Sequence, residues 1–261
     1  NLPPRTDVLV EPQKHFDTVL YSGDDTEYRK ISLKFKPDFL WFKRRNGTQG
    51  NVLCDTVRGM GKHLVSNSSD AETSPGYPYV SSVVDNGFLL RGGTNSGGNV
   101  SGRTMVAWCW KAGGSSNTFN VDGTGYGTAA AAGITDGNVA ITGASVNTEN
   151  GFSVVTYTGS TANGVLTVGH GLGKKPAWVI IKRRDASGEW IVGHKGLAVN
   201  AFANNKFLKL DSNSSTFTNS LVFGAEPTTT VTQIVSDGNA GASNLTSSGT
   251  YVMYSWAEIP G

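Results

Sequence analysis

The residues of this chain that could do chemistry are few and scattered. His15, His63, His170 and His194 stand alone, no His-Glu-x-x-His occurs, and Cys54 and Cys109 lie 55 residues apart with no ligand pair beside either. A zinc site needs three or four such donors at close spacing, so neither a metal nor a cofactor is expected. Two cysteines are also too few for a disulfide framework, and both are expected reduced. The Gly-x-Ser-x-Gly turn that presents a serine nucleophile is missing. Gly59-Met60-Gly61-Lys62 partly matches a phosphate loop but lacks its spacer and its Ser/Thr, and Gly123-x-Gly125-x-Gly127 is not framed by strand and helix, so both read as turns. Glycan cleavage needs two facing carboxyls, for which Asp24, Asp25, Glu27, Asp38 and Asp55 are the candidates.

The elements that would position these groups emerge from an internal repeat. Phe16 with Tyr21-Ser22-Gly23 matches Phe152 with Tyr157-Thr158-Gly159 at an offset of 136 residues. Lys36-Pro37 and Lys43-Arg44-Arg45 match Lys175-Pro176 and Lys182-Arg183-Arg184 at 139. Lys62-His63-Leu64 matches Lys206-Phe207-Leu208 at 144, and Ser101 to Trp110 matches Ser247 to Trp256 at 146. An offset that only grows describes a duplication with small loop insertions in the second copy. Asp38 then aligns with Ala177, and the Asp24 to Glu27 stretch with Ser160 to Asn163. The carboxyls therefore read as surface acids, and no catalytic residue is assigned.

Val106, Trp108 and Trp110 alternate with Met105, Ala107 and Cys109, and Val252, Tyr254 and Trp256 alternate with Tyr251, Met253 and Ser255. Period two is a strand, and apolar residues on both faces make it a central, buried one. Phe39 to Phe42 and Trp178 to Ile181 read the same way. Asp85-Asn86-Gly87 is a hairpin turn, and Arg45-Asn46-Gly47 and Asp185 to Gly188 fall at equivalent places in the two copies. About eight short strands per copy result; only Thr128 to Ala132 could form a helical turn. The expected fold is all-β: two tandem antiparallel β-sandwiches of jelly-roll or concanavalin-like type, related by internal duplication. Residues 16–111 are the first sandwich and 152–261 the second. Residues 1–15 form an extended arm leading in from a preceding part of the protein. Residues 112–150, with eight glycines and no Lys or Arg, form a connector that Phe119, Val121, Tyr126, Ile134, Val139 and Ile141 should hold against one of the domains.

Composition excludes several partners. The formal charge of +2 from 22 basic and 20 acidic residues does not favour nucleic acid, and the basic triplets at 43–45 and 182–184 read as solvated strand ends. No run of about 18 apolar residues occurs, so membrane insertion is not expected. The start, Asn1-Leu2-Pro3-Pro4, carries neither an initiator Met nor a signal-type apolar region and reads as a trimmed end.

The aromatics fall into two groups. Trp41, Trp108, Trp110, Trp178 and Trp256 lie on the repeated strands and are expected in the core. Tyr77, Tyr79 and Trp190 sit in or beside loops. A loop ring beside amides suits a sugar, because its flat face stacks on the apolar face of a pyranose. These three, with Asn46 and Asn67 as hydrogen-bonding neighbours, are the candidate glycan site.

Four segments carry a family resemblance: Lys36-Pro37-Asp38-Phe39-Leu40-Trp41-Phe42-Lys43, Cys54-Asp55-Thr56-Val57-Arg58-Gly59, Val106 to Gly114, and Asn117-Thr118-Phe119-Asn120-Val121-Asp122. They resemble a domain family of unknown function found in tail-fibre and other virion proteins of tailed bacteriophages, especially marine ones. The second copy departs where Gly193-His194-Lys195-Gly196 replaces the Asp-Thr-Val-Arg-Gly segment, which would confine any role of Asp55 and Arg58 to the first half. The resemblance brings no catalytic residues. It implies a non-enzymatic virion protein, assembled in the bacterial host cytoplasm and placed on the tail or another exterior appendage. Attachment to a host surface glycan is the leading expectation, with a capsid or tail decoration protein and a polysaccharide depolymerase as alternatives. Other virion proteins are the expected partners, and a homotrimer is expected because phage fibres are commonly three-fold and the connector offers a surface to pack between subunits.

Overall fold

A computed structural model describes residues 11–76, 78–93, 97–114, 116–160, 164–218, 222–236 and 249–259. Strands account for 44% of the chain and helix for 3%, which makes the fold all-β. The first half holds β1 (Phe16–Ser22), β2 (Arg29–Ser32), β3 (Phe39–Arg44), β4 (Val52–Asp55), β5 (Leu64–Val65), β6 (Val80–Val84), β7 (Gly87–Leu90) and β8 (Thr104–Trp110). Three strands follow in the connector: β9 (Phe119–Val121), β10 (Thr124–Tyr126) and β11 (Ile141–Asn147). The second half holds β12 (Phe152–Thr158), β13 (Gly164–Gly169), β14 (Pro176–Arg183), β15 (Trp190–His194), β16 (Lys206–Lys209), β17 (Phe217–Thr218), β18 (Val231–Ser236) and β19 (Thr250–Ala257).

These strands make four sheets. Five strands pair in the order β1-β8-β3-β4-β5, and three in the order β2-β7-β6. Nine pair in the order β10-β9-β11-β12-β19-β14-β15-β16-β17, and β13 pairs with β18. The run β12-β19-β14-β15-β16 thus follows the same path as β1-β8-β3-β4-β5. Registers agree too. Trp110 stands opposite Phe16 and Phe39, and Trp256 opposite Phe152 and Trp178. Lys43 stands opposite Val106, and Lys182 opposite Val252. Pairing is antiparallel except between β9 and β11, which run parallel.

The sheets stack in four layers. One apolar core joins the three- and five-stranded sheets through Ile31, Phe88 and Leu90 on one side and Leu40, Phe42, Met105, Ala107 and Cys109 on the other. A second lies between the five- and nine-stranded sheets, where Phe39, Leu53 and Leu64 meet Phe152, Val154, Ile180, Trp190 and Tyr254. A third covers the outer face of the nine-stranded sheet with Leu166, Val168 and Ile234 from β13 and β18. Each large sheet is therefore sandwiched, and for this reason β8 and β19, which are central in their sheets, carry apolar residues on both faces. The connector joins the third core: Phe119, Ile134 and Val139 are buried in it, with Val121, Tyr126 and Ile141 packed against it. Its apolar anchors are thus engaged within the chain, which removes the connector surface as a ground for the expected trimer.

The Asn86-Gly87 hairpin is formed, with Gly87 at φ 133°. A Cβ there would lie 2.0 Å from the Ile31 carbonyl oxygen, so β2 can approach β7 only because the residue is glycine.

The tryptophans invert the expectation. Trp190, assigned to a loop surface, is fully buried, while Trp41, Trp108, Trp110, Trp178 and Trp256 are all half-buried. Trp41, Trp110, Trp178 and Trp256 pack against the interlayer core that encloses Trp190. There Trp178 stacks on Trp256 at 4.1 Å, and Trp110 lies 5.9 Å from Trp256.

Candidate functional site

The polar residues of the Cys54 to Gly59 segment turn inward. Asp55 is fully buried, as is the Arg58 side chain. The Arg58 Nε donates to Asp55 Oδ2 at 2.5 Å, one guanidinium nitrogen to the Leu53 carbonyl at 3.0 Å, and the other to Glu72 at 3.0 Å. Tyr254 crosses from the nine-stranded sheet to donate its hydroxyl to Asp55 Oδ2 at 2.8 Å. Glu72 in turn accepts both arms of Arg184, at 2.9 and 3.0 Å. Burial opposes the Arg58 charge, but Asp55, Tyr254 and Glu72 outweigh it and hold the guanidinium ionised. Burial likewise works against the Glu72 carboxylate, and the Arg184 and Arg58 contacts overcome it, leaving its pKa lowered. Asp55 and Arg58 are therefore not confined to the first half in their effect; they form the polar bond between the halves.

Asp38 is the second buried carboxylate, 1% exposed. It accepts from the Thr56 hydroxyl at 2.9 Å, the Ala112 N–H at 2.7 Å and the Ser145 hydroxyl at 3.3 Å, which ties β3 to the start of the connector and to β11. Burial raises its pKa against the pull of these donors. The reading of Asp38 and Asp55 as surface acids is corrected: each is an internal knot, and the chain positions its donors around it. Lys182 is corrected in the same way. Its side chain is buried, its Nζ donates to the Ser69 and Arg183 carbonyls at 3.2 and 2.8 Å, and burial lowers its pKa to about 8.

His63 and His170 are buried acceptors. The His63 Nε2 accepts from the Tyr79 N–H at 3.1 Å. The His170 Nδ1 accepts from the Leu172 N–H at 3.2 Å, while its Nε2 faces the Thr228 carbonyl at 3.3 Å. One nitrogen accepting and the other donating is the neutral ring, and burial lowers both pKa values from 6.5 to about 4. As pH falls below 6.5 the unfolded chain takes up these protons first, so the contribution to stability is full above about 6.5 and is lost towards pH 4. The shift corresponds to about 3 kcal/mol for each ring. Urea unfolding of the His170→Asn protein is expected to show a flatter decline over that window than the parent; an unchanged slope would mean that His170 is not buried neutral.

Of the expected glycan residues, Trp190 is removed: its ring is enclosed, and its Nε1 donates to the Val65 and Ser68 carbonyls at 2.9 and 3.0 Å. Tyr79 is half-buried, edge-on to Phe42 at 5.6 Å and to His63 at 5.2 Å. Tyr77 lies outside the described residues. Asn46 and Asn67 are exposed, but each amide bonds a neighbouring segment, Asn46 donating to the Gly102 carbonyl and Asn67 accepting from the Asn51 N–H. Among the described residues, Trp190 lies against the turn that carries Asn67 but with its ring enclosed.

An exposed ring that the sequence reading passed over sits at the loop between β1 and β2. Tyr28 is 53% exposed and adopts φ 57°, a left-handed conformation that a bulky residue rarely takes. The loop is built to hold it there. Fully buried Asn99 donates to Asp24 Oδ1 at 2.9 Å and to the Thr26 carbonyl at 2.8 Å. Asp25 accepts from the Ser101 N–H, and Glu27 from the Gly92 N–H. Arg91 pairs with Glu27 at 2.9 Å, lies over the Tyr28 ring at 5.6 Å and donates to its hydroxyl at 3.3 Å. Strain of about 1 to 3 kcal/mol kept by surrounding bonds is characteristic of ligand-contact positions. The only sequence signal was Tyr28 following an acidic turn, which does not distinguish a displayed ring from a folded one. Among the described residues no group of three or more His, Cys, Asp or Glu is placed to hold a metal ion.

A family model described as "Domain of unknown function (DUF7483)" matches residues 11–261. No curated protein and no solved structure matches the chain.

Proposed function

For a chain that belongs to the DUF7483 family of domains of unknown function, we propose the role of a non-enzymatic virion protein, a tail-fibre or receptor-binding segment that attaches to a glycan on the host surface. The observation that carries the proposal is the Tyr28 loop, where a layered β body holds an aromatic ring outward in a strained conformation beside Arg91 and Glu27. A ring face flanked by charged groups offers what a pyranose needs. Engagement of Asp38 and Asp55 in internal bonding supports attachment over glycan cleavage. The common strand order and register of the two halves support a duplicated sandwich, with the Asp55 and Arg58 lock contributed by the first copy. The virion setting rests on the resemblance of the four segments named above.

A single ring contact is weak, near millimolar or about 4 kcal/mol, and becomes useful when several copies on one particle bind together. The Tyr28→Ala protein is expected to keep its melting temperature, since relief of strain offsets lost contact, and to label host cells about ten-fold less than the parent. Equal labelling by the two proteins would remove Tyr28 from the site. Parent protein that labels no host cell would point to a decoration role, and oligosaccharide released from host envelope would point to a depolymerase.

A further inference from the structure

Arg29, next to Tyr28, stands at the Leu90 end of the three-stranded sheet, and Val83 stands opposite Phe88 near the other end. There a cleft of about 260 Å³ opens between β6, the turn after β4 and the start of the connector, lined by Lys36, Thr56, Met60, Val83, Asn117 and Asn120. Its polar lining is fixed from behind. The Thr56 hydroxyl donates to Asp38 Oδ1 at 2.9 Å, and the buried Asp38 accepts on its other oxygen from the Ala112 N–H at 2.7 Å. Buried Asn120 holds the Asn117 backbone from both sides, its Oδ1 accepting from the Asn117 N–H at 3.1 Å and its Nδ2 donating to the Asn117 carbonyl at 2.6 Å. Met60 and Val83 pack against the core between the three- and five-stranded sheets and give the cleft an apolar wall. Half-buried Lys36 is the one charged residue of the lining, and among the described residues it makes no ion pair and no side-chain hydrogen bond.

We propose that this cleft binds a sugar acid, a single pyranose ring carrying a carboxylate. Each part of that chemistry answers a group of the lining. A lysine without a partner calls for an anion, and one compact ammonium matches the single charge of a carboxylate. The Thr56 hydroxyl has given its proton to Asp38, so towards a ligand it can only accept, which requires an O–H donor. The Asn117 side-chain amide offers both a donor and an acceptor to a further hydroxyl. Met60 and Val83 suit the C–H face of the ring, and the unbranched Met side chain adapts to its shape. A volume just under the ~300 to 1,000 Å³ of drug-sized sites admits one ring. The charge of Asp38 is already answered by Thr56, Ala112 and Ser145. The cleft stands apart from the Tyr28 loop, and only the use of such a sugar in host attachment rests on the reading given above.

The methionines make the test site-specific, because Met105 and Met253 are buried in the cores while Met60 lines the cleft. In the full chain with isotope-labelled methionine methyls, D-glucuronate is expected to shift the Met60 resonance with half-saturation at about 1 mM, and to leave those of Met105 and Met253 in place. D-glucose, which lacks the charge, and acetate, which lacks the ring, are each expected to need about ten-fold more. Lys36→Gln is expected to raise the glucuronate dissociation constant about ten-fold while the melting temperature is kept. If that variant fails to fold by circular dichroism, Asn117→Ala, at an exposed position, is expected to raise the constant about five-fold. A Met60 resonance that glucuronate leaves in place overturns the proposal, as does glucose or acetate acting as effectively as glucuronate, or an unchanged constant for a folded variant. The titration involves no host cells. Host labelling by a protein whose Met60 resonance stays in place therefore removes this site alone, and a glucuronate shift in a protein that labels no host cell removes the attachment reading alone.

Discussion

Replacing Arg58 with Met is expected to lower the unfolding free energy by about 3 to 5 kcal/mol, the range for removing one partner of a buried ion pair. The loss comes less from the missing attraction than from what remains. Asp55 is fully buried, and without the guanidinium its side chain keeps the Tyr254 hydroxyl and the residue 58 N–H, too little to replace water around a charge. Glu72 would keep Arg184, but the Leu53 carbonyl would lose its donor. Urea unfolding followed by tryptophan fluorescence measures the loss. Adding Asp55→Asn to the Arg58→Met protein removes the stranded charge, so the double variant is expected to be more stable than Arg58→Met alone. A single-variant loss under about 1 kcal/mol would place the pair in solvent and remove the lock between the two large sheets.

Trp190→Ala is expected to cost about 3 to 5 kcal/mol, the range for truncating a buried aromatic. The ring is fully buried in the interlayer core, it satisfies the Val65 and Ser68 carbonyls from the opposite half, and Lys182 Nζ lies 5.9 Å from its centre. Truncation opens a cavity and removes a donor from both carbonyls, leaving Val65 only the Ser68 N–H. Trp108→Ala is expected to cost clearly less, because Trp108 is only half-buried. Equal melting-temperature losses for the two variants would contradict the layer arrangement. Against a typical stability of about 5 to 15 kcal/mol, either of the large losses is a substantial share.

The elements were legible because their signals are local. Alternation at period two marked the strands around Trp110 and Trp256, and Asn86-Gly87 marked a hairpin, since side-chain direction in a strand and positive φ at a turn depend on a few neighbouring residues. The matched segments also carried the register, for each conserved pair of types, Trp110 with Phe16 and Trp256 with Phe152, sits at one rung of its sheet. Tyr28 was not legible. Its display depends on Asn99 and Gly92, which contact the loop from 73 and 65 residues away in sequence.

By itself the sequence determined strands, turns and the all-β class, because backbone preference and pleat period are written residue by residue. Only the tertiary structure decided which face of each large sheet is covered. Stacking the five-stranded sheet on the nine-stranded one enclosed Trp190, Lys182 and Asp55, and left the five strand tryptophans half-buried. Burial is a property of what crosses above a residue, here a strand more than a hundred residues away, and no local pattern contains that information. Glu72 and Arg184, 112 residues apart, became a bonded pair for the same reason.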